Sequence, residues 1–409
     1  MSLAKDFKNP YRPGAGHMPP YLAGREAETG EFERLLEQEV ILENMILTGL
    51  RGVGKTVLLE KFKPIAIESE WLWVGTDISE SVCIREENIA IRLITDLSIV
   101  TSNIEVEYEK ISTLGFVEQP TKEKYPLNYT NLSKLFSQTP GLILDKLKTV
   151  LEYVWRCIEK SSIRGIVFAY DEAQNLSDHK EKEQFPLSVL LDVFQSIQRR
   201  DIPFLLVLTG LPTLFPKLVE TRTYSERMFR VVFLDRLNEE ESREAILKPI
   251  EADSCPLIFV EESLRQVVDA SKGYPYFIQF ICKEAFDSFI QKLKTDDAPS
   301  VPMLEIIRKL DSDFFAGRWA RATDRQRELL AVIASLDNSD KEFTVREAVE
   351  KSKEIAEKPF SAAHVHQMLN SLIDAGLVYK NRYGKYSFAV PLLGEFIRRQ
   401  DQLSDLFSM

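Results

Sequence analysis

The sequence predicts an α/β fold: a parallel sheet sandwiched by helices, followed by an all-helical segment and a small C-terminal domain. Three observations lead there. Near-continuous apolar runs (NMILTG, WLWVGTDIS, GIVFAYDEAQNL, PFLLVLTGLP and RVVFLDRL) alternate with helical stretches up to Leu237, the pattern of strands buried on both faces. After Leu237 strand signals stop, and the chain reads as helix to about Arg308. From Gly317 the pattern becomes three helices and a hairpin. A chain of 409 residues exceeds one core, and the expected divisions are 1–235, 236–316 and 317–409.

Residues 1–20 contain NPYRPGAGHMPP, an extended, loop-like leader. Helical spacing begins in REAETGEFERLLEQEV, with Phe32, Leu35, Leu36 and Val40 on one face. NMILTG is a short buried strand, KTVLLEKFKPIA a helix and WLWVGTDIS a second strand. Residues 101–139 are polar with scattered aromatics and read as an insertion. LILDKLKTVLEYVWRCIEK reads as a helix whose apolar face carries Leu142 and then Leu147, Leu151, Val154 and Ile158, the last four recurring every three or four residues. GIVFAYDEAQNL is a strand ending in two carboxylates, FPLSVLLDVFQSIQRR the next helix, and PFLLVLTGLP and RVVFLDRL the last strands.

Composition narrows the class. Hydrophobic and charged fractions of 44% and 28% are those of an ordinary globular protein. No apolar stretch approaches the roughly 20 residues that span a bilayer, and the start has no run resembling a secretory signal. Cys83, Cys157, Cys255 and Cys282 are widely separated, which argues against structural zinc or a disulfide framework and for the reducing cytoplasm. A net charge of −11 excludes a generally nucleic-acid-coating protein. The segment from Gly317 to Met409 has 14 Lys/Arg against 13 Asp/Glu, so the C-terminus is the part best suited to meet a phosphate backbone.

Gly49-Leu50-Arg51-Gly52-Val53-Gly54-Lys55-Thr56 satisfies GxxxxGK[ST] between a predicted strand and a predicted helix that continues through Val57. Glycines let consecutive N–H groups close around phosphate oxygens, and the helix adds the positive end of its dipole. Lys55 is placed to reach the β- and γ-phosphates, and Thr56 to complete a magnesium shell. The sheet is therefore of the P-loop NTPase kind. A second strand, IVFAYDE, delivers Asp171 and Glu172 to its C-terminal end, where open α/β sheets bind ligands. Asp171 is expected to hold magnesium and Glu172 to activate water as a general base. An Asp-Glu pair also begins helices, but the end of a buried strand favours catalysis. Thr209, closing FLLVLTG, can position that water or simply end the strand. TRTYSERMFR carries Arg222, Arg227 and Arg230 before the last strand; Arg227 is the favoured finger toward a neighbouring subunit's γ-phosphate, a solvated basic turn being the alternative.

Together GLRGVGKT, YDEAQNL, TYSERMFR with LDRLNEEES, and PPYLAGREAE resemble the AAA+ superfamily, in the branch of origin-recognition initiators, transposition ATPases and STAND-type signalling ATPases. The resemblance implies that Tyr21, Leu22, Ala23, Gly24 and Arg25 line the adenine. It also implies a helical lid, in which SKGYPYFIQFICKEAF lacks the γ-phosphate-sensing arginine of many AAA+ lids. Instead Gly273-Tyr274-Pro275-Tyr276 looks like the Gly-x-Pro lid of STAND proteins, whose proline packs on adenine; proline is also an ordinary first residue of a helix.

In the C-terminal segment Thr323 or Asp324 caps the first helix. The third, SAAHVHQMLNSLIDAG, puts Val365, Met368, Leu369, Leu372 and Ile373 on one face, with Gly376 as its stop. LVYKNRYGKYSFAVP is a hairpin turning at Gly384. Three helices and a wing resemble a winged-helix domain. The free face of the third helix offers His364, His366, Gln367, Asn370, Ser371 and Asp374 without Lys or Arg, so DNA contact would fall to Lys380, Arg382 and Lys385, with Arg398 and Arg399 beyond. A protein partner stays equally open. The expected function is magnesium-dependent ATP binding and slow hydrolysis that switches a partner interaction, with nucleotide-dependent self-association. The alternatives are a DNA-loading initiator or transposition helper, and a non-hydrolysing nucleotide-stabilised scaffold. A small-molecule phosphotransferase is disfavoured by the Asp-Glu pair and the winged helix.

Overall fold

The computed structural model describes residues 8–14, 16–114, 117–252, 257–295, 301–337, 341–382 and 384–407, without the side chains of 107–123, 252, 293–295, 382 and 401–407. Cys255 and the Arg382 side chain lie outside the described residues. The chain forms two compact units. A sheet unit comprises Glu26–Thr48 and Lys55–Phe233; a helical unit comprises Gly49–Gly54 with the described residues of 1–25 and 234–409.

The sheet unit runs α1 (Glu26–Leu36), β1 (Asn44–Thr48), α2 (Lys55–Glu68), β2 (Trp71–Asp77), α3 (Glu86–Thr101), β3 (Glu105–Leu114), β4 (Val117–Pro126), α4 (Tyr129–Gln138), α5 (Ile143–Ile158), β5 (Gly165–Asp171), α6 (Pro186–Gln198), β6 (Phe204–Gly210), α7 (Leu214–Thr221), α8 (Ser225–Met228) and β7 (Phe229–Phe233). Five strands form one sheet in the order β2-β5-β6-β1-β7, every pairing parallel. Each residue of β1, β5 and β6 is buried, which is why these segments are apolar runs with polar residues only near their ends rather than alternating. The buried Asn44 amide fixes where β1 begins. Its Nδ2 donates to Gln198 Oε1 at 3.1 Å and to the Met228 carbonyl at 3.2 Å, and its Oδ1 accepts from the Leu206 N–H at 2.8 Å. Phe32 of α1 stacks on Phe62 of α2 with centroids 4.2 Å apart. Phe168 of β5 meets Phe194 of α6 edge-on at 5.1 Å.

Two periodicities overran their elements. Helix α1 stops at Leu36, so Val40 lies beyond it, 38% exposed. Leu142 is the residue before α5 and is 75% exposed, so the buried face starts at Leu147. Residues 101–139 carry the antiparallel β3–β4 hairpin and α4; residues 115–116 lie outside the described residues.

The helical unit contains α9 (Glu239–Ala252), α10 (Glu261–Ser271), α11 (Pro275–Thr295), α12 (Met303–Leu310), a π-helical turn (Asp311–Phe315), α13 (Ala316–Trp319), α14 (Asp324–Ala334), α15 (Val345–Ile355), α16 (Ala362–Asp374), β8 (Val378–Arg382), β9 (Lys385–Phe388) and α17 (Leu393–Phe407). Hydroxyls cap three of these helices. Thr323 accepts from the Gln326 N–H, Thr344 from Glu347 and Ser361 from His364. The β8–β9 hairpin turns at Gly384, and Phe343 bridges to Tyr386 as a third strand segment. Helices α14–α16 followed by this hairpin have the topology of a winged helix. In the described part of the leader, Tyr11 Oη donates to the Ile246 carbonyl at 2.6 Å and Asn9 Nδ2 to Asp287 at 2.8 Å, so the leader is fastened to α9 and α11.

Candidate nucleotide-binding site

Three elements of the sheet unit bring their termini to one carboxylate. Asp171 ends β5 and is 4% exposed. It accepts a hydrogen bond from Thr56 Oγ1 of the first turn of α2 at 2.5 Å, and a second from the Thr209 hydroxyl near the end of β6. A buried carboxylate needs such donors, and hydrogen bonds to a charged group contribute about 1.5–3 kcal/mol each. β5 pairs with β6, which pairs with β1, so the parallel register sets these C-terminal ends side by side.

Glu172 follows in the left-handed conformation, φ 52° and ψ 32°, and is exposed. Its carboxylate accepts from the Gln174 side-chain amide. The Gln174 Oε1 in turn accepts the Leu211 N–H at 3.2 Å, and the Gln174 carbonyl accepts Lys217 Nζ of α7 at 2.8 Å. Burial lowers the pKa of Lys217. Gly210 has no side chain for a concrete reason: a Cβ there would lie 2.7 Å from Gln174 Oε1. Gln174 is thus the hinge of a clasp joining the β6 end, α7 and Glu172. Its place two residues after Glu172 is visible in the sequence, but a loop amide has no periodicity to announce which way it points.

The glycine loop belongs to the helical unit up to Gly54; Lys55 opens α2. Gly52 and Gly54 have φ +80° and +94°, and the space where Gly54 would carry a Cβ is open. Gly49 lies so close to the Leu234 carbonyl that a Cβ would come within 2.4 Å. Leu50 is half-buried, Arg51 exposed, Val53 buried, and Lys55, Thr56 and Val57 half-buried. The Tyr276 N–H, at the start of α11, donates to the Gly52 carbonyl at 3.2 Å. Arg25 is 5% exposed, and its guanidinium donates to the carbonyls of Gly24, Val53 and Asp235 at 3.0, 3.1 and 2.7 Å. Tyr21 and Leu22 are half-buried and Ala23 buried; the Tyr21 hydroxyl donates to Glu244 at 3.1 Å. Gly273 has φ +76°, and a Cβ would lie 2.2 Å from the Leu237 carbonyl. Pro275 is the first residue of α11, where its fixed φ and missing N–H suit a helix start.

These residues fit a magnesium nucleotide. The open space at Gly54 would be filled by any side chain, and a threonine hydroxyl beside a strand-end carboxylate is the donor set a hard cation takes alongside phosphates and water. Among the described residues no cluster of three His, Cys, Asp or Glu is placed to hold a metal by protein groups alone.

The three arginines before β7 differ in what they touch. Arg222 makes a two-pronged pair with Asp192 at 3.0 and 2.9 Å, shared with the Tyr224 hydroxyl at 2.6 Å. Arg230 pairs with Glu31. Arg227 is exposed and makes no ion pair among the described residues. In the winged region, His364, His366, Gln367, Asn370, Ser371 and Asp374 are all exposed. Arg398 donates to the Ala334 carbonyl at 2.7 Å, and Arg399 pairs with Asp311. Both contacts hold α17 in place. Lys380 is exposed and Lys385 half-buried.

Residues 312–397 match the model of a domain of unknown function (DUF8462). No curated protein matches the sequence. Solved structures do. The Walker-type ATPase PABY2304 of Pyrococcus abyssi is 15% identical at a TM-score of 0.52, covering 92% of this chain and 96% of that one. The ORC2 protein of Aeropyrum pernix in its ADP form is 14% identical at 0.53, covering 95% and 97%. The same protein in ADPNP–ADP complexes is 14% identical at 0.51, covering 96% and 98%. At these identities the likeness is one of fold, and it runs the length of the chain.

Proposed function

We propose that this chain, which has the fold of the origin-initiator AAA+ ATPases, binds ATP with magnesium, hydrolyses it slowly, and uses the nucleotide state to switch a partner interaction. The observation that carries the reading is the convergence of the Thr56 and Thr209 hydroxyls on the Asp171 carboxylate, with Glu172 next in the chain. Those residues are 115 and 38 positions apart from Asp171 in sequence, and a chance glycine turn would leave no reason for them to meet.

In this reading the N–H groups of Gly49–Gly54 hold the phosphates, and Lys55 neutralises their charge. Thr56 and Asp171 hold magnesium, which supplies charge neutralisation on the transferring phosphoryl group. The Thr209 hydroxyl orients the attacking water, and the Glu172 carboxylate takes its proton. Tyr21, Leu22, Gly24, Arg25, Gly273 and Pro275 shape the base side of the pocket. Arg227, exposed and without an ion pair among the described residues, is the arginine left to serve a neighbouring copy's nucleotide.

The winged region presents its exposed α16 face without Lys or Arg, and the half-buried Arg398 and Arg399 are engaged by the Ala334 carbonyl and Asp311. Phosphate contacts dominate DNA affinity, so this distribution favours a protein partner over DNA. The test is a pair of variants. Lys55→Ala should abolish nucleotide binding, whereas Glu172→Gln should keep it and lower turnover roughly 100- to 10,000-fold, the range for a general base. Unchanged turnover in Glu172→Gln would remove the catalytic assignment.

A further inference from the structure

The five-stranded sheet has two edges, and they differ. At one, the exposed residues of β2 are Gly75 and Asp77. At the other, β7 pairs with β1 alone among the described residues. That edge exposes apolar side chains: Val231 is 40% exposed and Phe233 57%. Unpaired N–H and C=O groups beside exposed apolar residues are a template for another strand. Proteins commonly guard such an edge with a charge on the strand itself. Here the charged residue of β7, Arg230, is drawn onto α1 by its ion pair with Glu31.

The two faces of this edge differ in chemistry. Val231 and Phe233 register with Ile46 and Thr48 of β1 and share one face of the sheet. Arg230 and Val232 register with Met45 and Leu47 on the other, the face on which Arg230 reaches α1. A cleft of about 580 Å³ lies along the edge, lined by residues 230–232 of β7, by Glu28 and Glu31 of α1, and by Glu43 just before β1. The segment around it is strongly acidic. Residues 26–43 hold seven glutamates against one arginine, Arg34, which also pairs with Glu31. A surface of this sign attracts a basic partner and repels its own kind. A second copy of β7 would bring a second set of α1 glutamates, so charge favours a different occupant.

We infer that the β7 edge is a docking strand for an extended segment of a partner protein in which basic and apolar residues alternate. Successive side chains of a strand point to opposite faces. A segment hydrogen-bonded to β7 therefore sets every second side chain against the glutamates beside α1 and the others against Val231 and Phe233. Main-chain bonds supply the affinity and the alternation supplies the selectivity. β7 contributes none of the residues that meet at Asp171, so docking there stands apart from the nucleotide reading.

The test uses the full chain and short synthetic peptides of alternating Val and Lys, followed by fluorescence anisotropy and by hydrogen exchange of the backbone amides. The Val-Lys peptide should bind and slow exchange within Phe229–Phe233. A Val-Glu peptide should bind at least roughly tenfold more weakly, because like charges are brought together. Glu28→Lys combined with Glu43→Lys should bring the two affinities together. A Val-Lys peptide N-methylated at every second residue keeps its charge but loses main-chain donors, and should also bind roughly tenfold more weakly or worse. Equal binding of the Val-Lys and Val-Glu peptides, full binding by the N-methylated one, or protection confined to other segments would overturn the inference. Protection of Phe229–Phe233 that grows with protein concentration alone would overturn it too, by giving the edge to a second copy.

Discussion

At the scale of the residue, the chemistry depends on a few side chains whose meeting no local pattern announces. The glycine loop, Asp171, Glu172 and Thr209 are legible in the sequence because each ends an apolar run or fits a motif of fixed spacing. Gln174 reads in the sequence as a contact to the attacking water or as a solvent-exposed loop amide; in the structure it is half-buried and touches Glu172 on one side and the Leu211 N–H on the other. The clasp fixes the rotamer of the otherwise exposed Glu172, the proposed base. Gln174→Ala is therefore expected to lower kcat about tenfold with little change in KM, matching one lost bond to a charged group. Steady-state kinetics and melting of Gln174→Ala beside the wild type would decide, since a merely structural role would move the melting temperature and leave kcat alone. Arg222 and Arg230 show the converse. Three arginines in one stretch look equivalent in sequence, yet Asp192 lies 30 residues from Arg222, and Glu31 lies on α1.

Elements were readable where burial is uniform and obscure where it is not. The strands β1, β5 and β6 appear as apolar runs because both faces are covered. The β3–β4 hairpin is hard to read from sequence because four of the ten residues in each strand are charged and β4 includes Pro120 and Pro126, which penalise a strand reading. Helix ends depend on caps more than on periodicity, and here Thr344 both accepts the Glu347 N–H and donates its own N–H to the Glu347 carboxylate. Thr344→Ala is expected to destabilise the winged region by about 1 kcal/mol, read as a lower denaturation midpoint with an unchanged slope. Asp192 adds a pH dependence. Burial alone would raise its pKa, but Arg222 and Tyr224 outweigh that and hold it below the usual value. A depressed folded-state pKa gives stability that is present above the unfolded value, about 3.9, and is lost as pH falls through the folded one. Acid titration of melting temperature should show this loss in the wild type and less of it in Asp192→Asn.

For the whole molecule, the strand order β2-β5-β6-β1-β7 could not be read from sequence, since it is set by which crossovers cover which face. It nevertheless builds the candidate site, because it places β1, β6 and β5 side by side and so lets Thr56, Thr209 and Asp171 meet. Arg227 belongs to this scale as well, since its proposed target is another copy. Arg227→Ala and Glu172→Gln should each be inactive alone, and mixing them should restore part of the turnover at sites that combine an intact Glu172 with an intact Arg227. No recovery on mixing would place the arginine outside catalysis. The central claim, that the chain turns over the nucleotide it binds, is tested most directly by identifying the nucleotide that stays on the protein after prolonged incubation with magnesium and ATP. The account predicts ADP on the wild type and intact ATP on Glu172→Gln; intact ATP on both would contradict it.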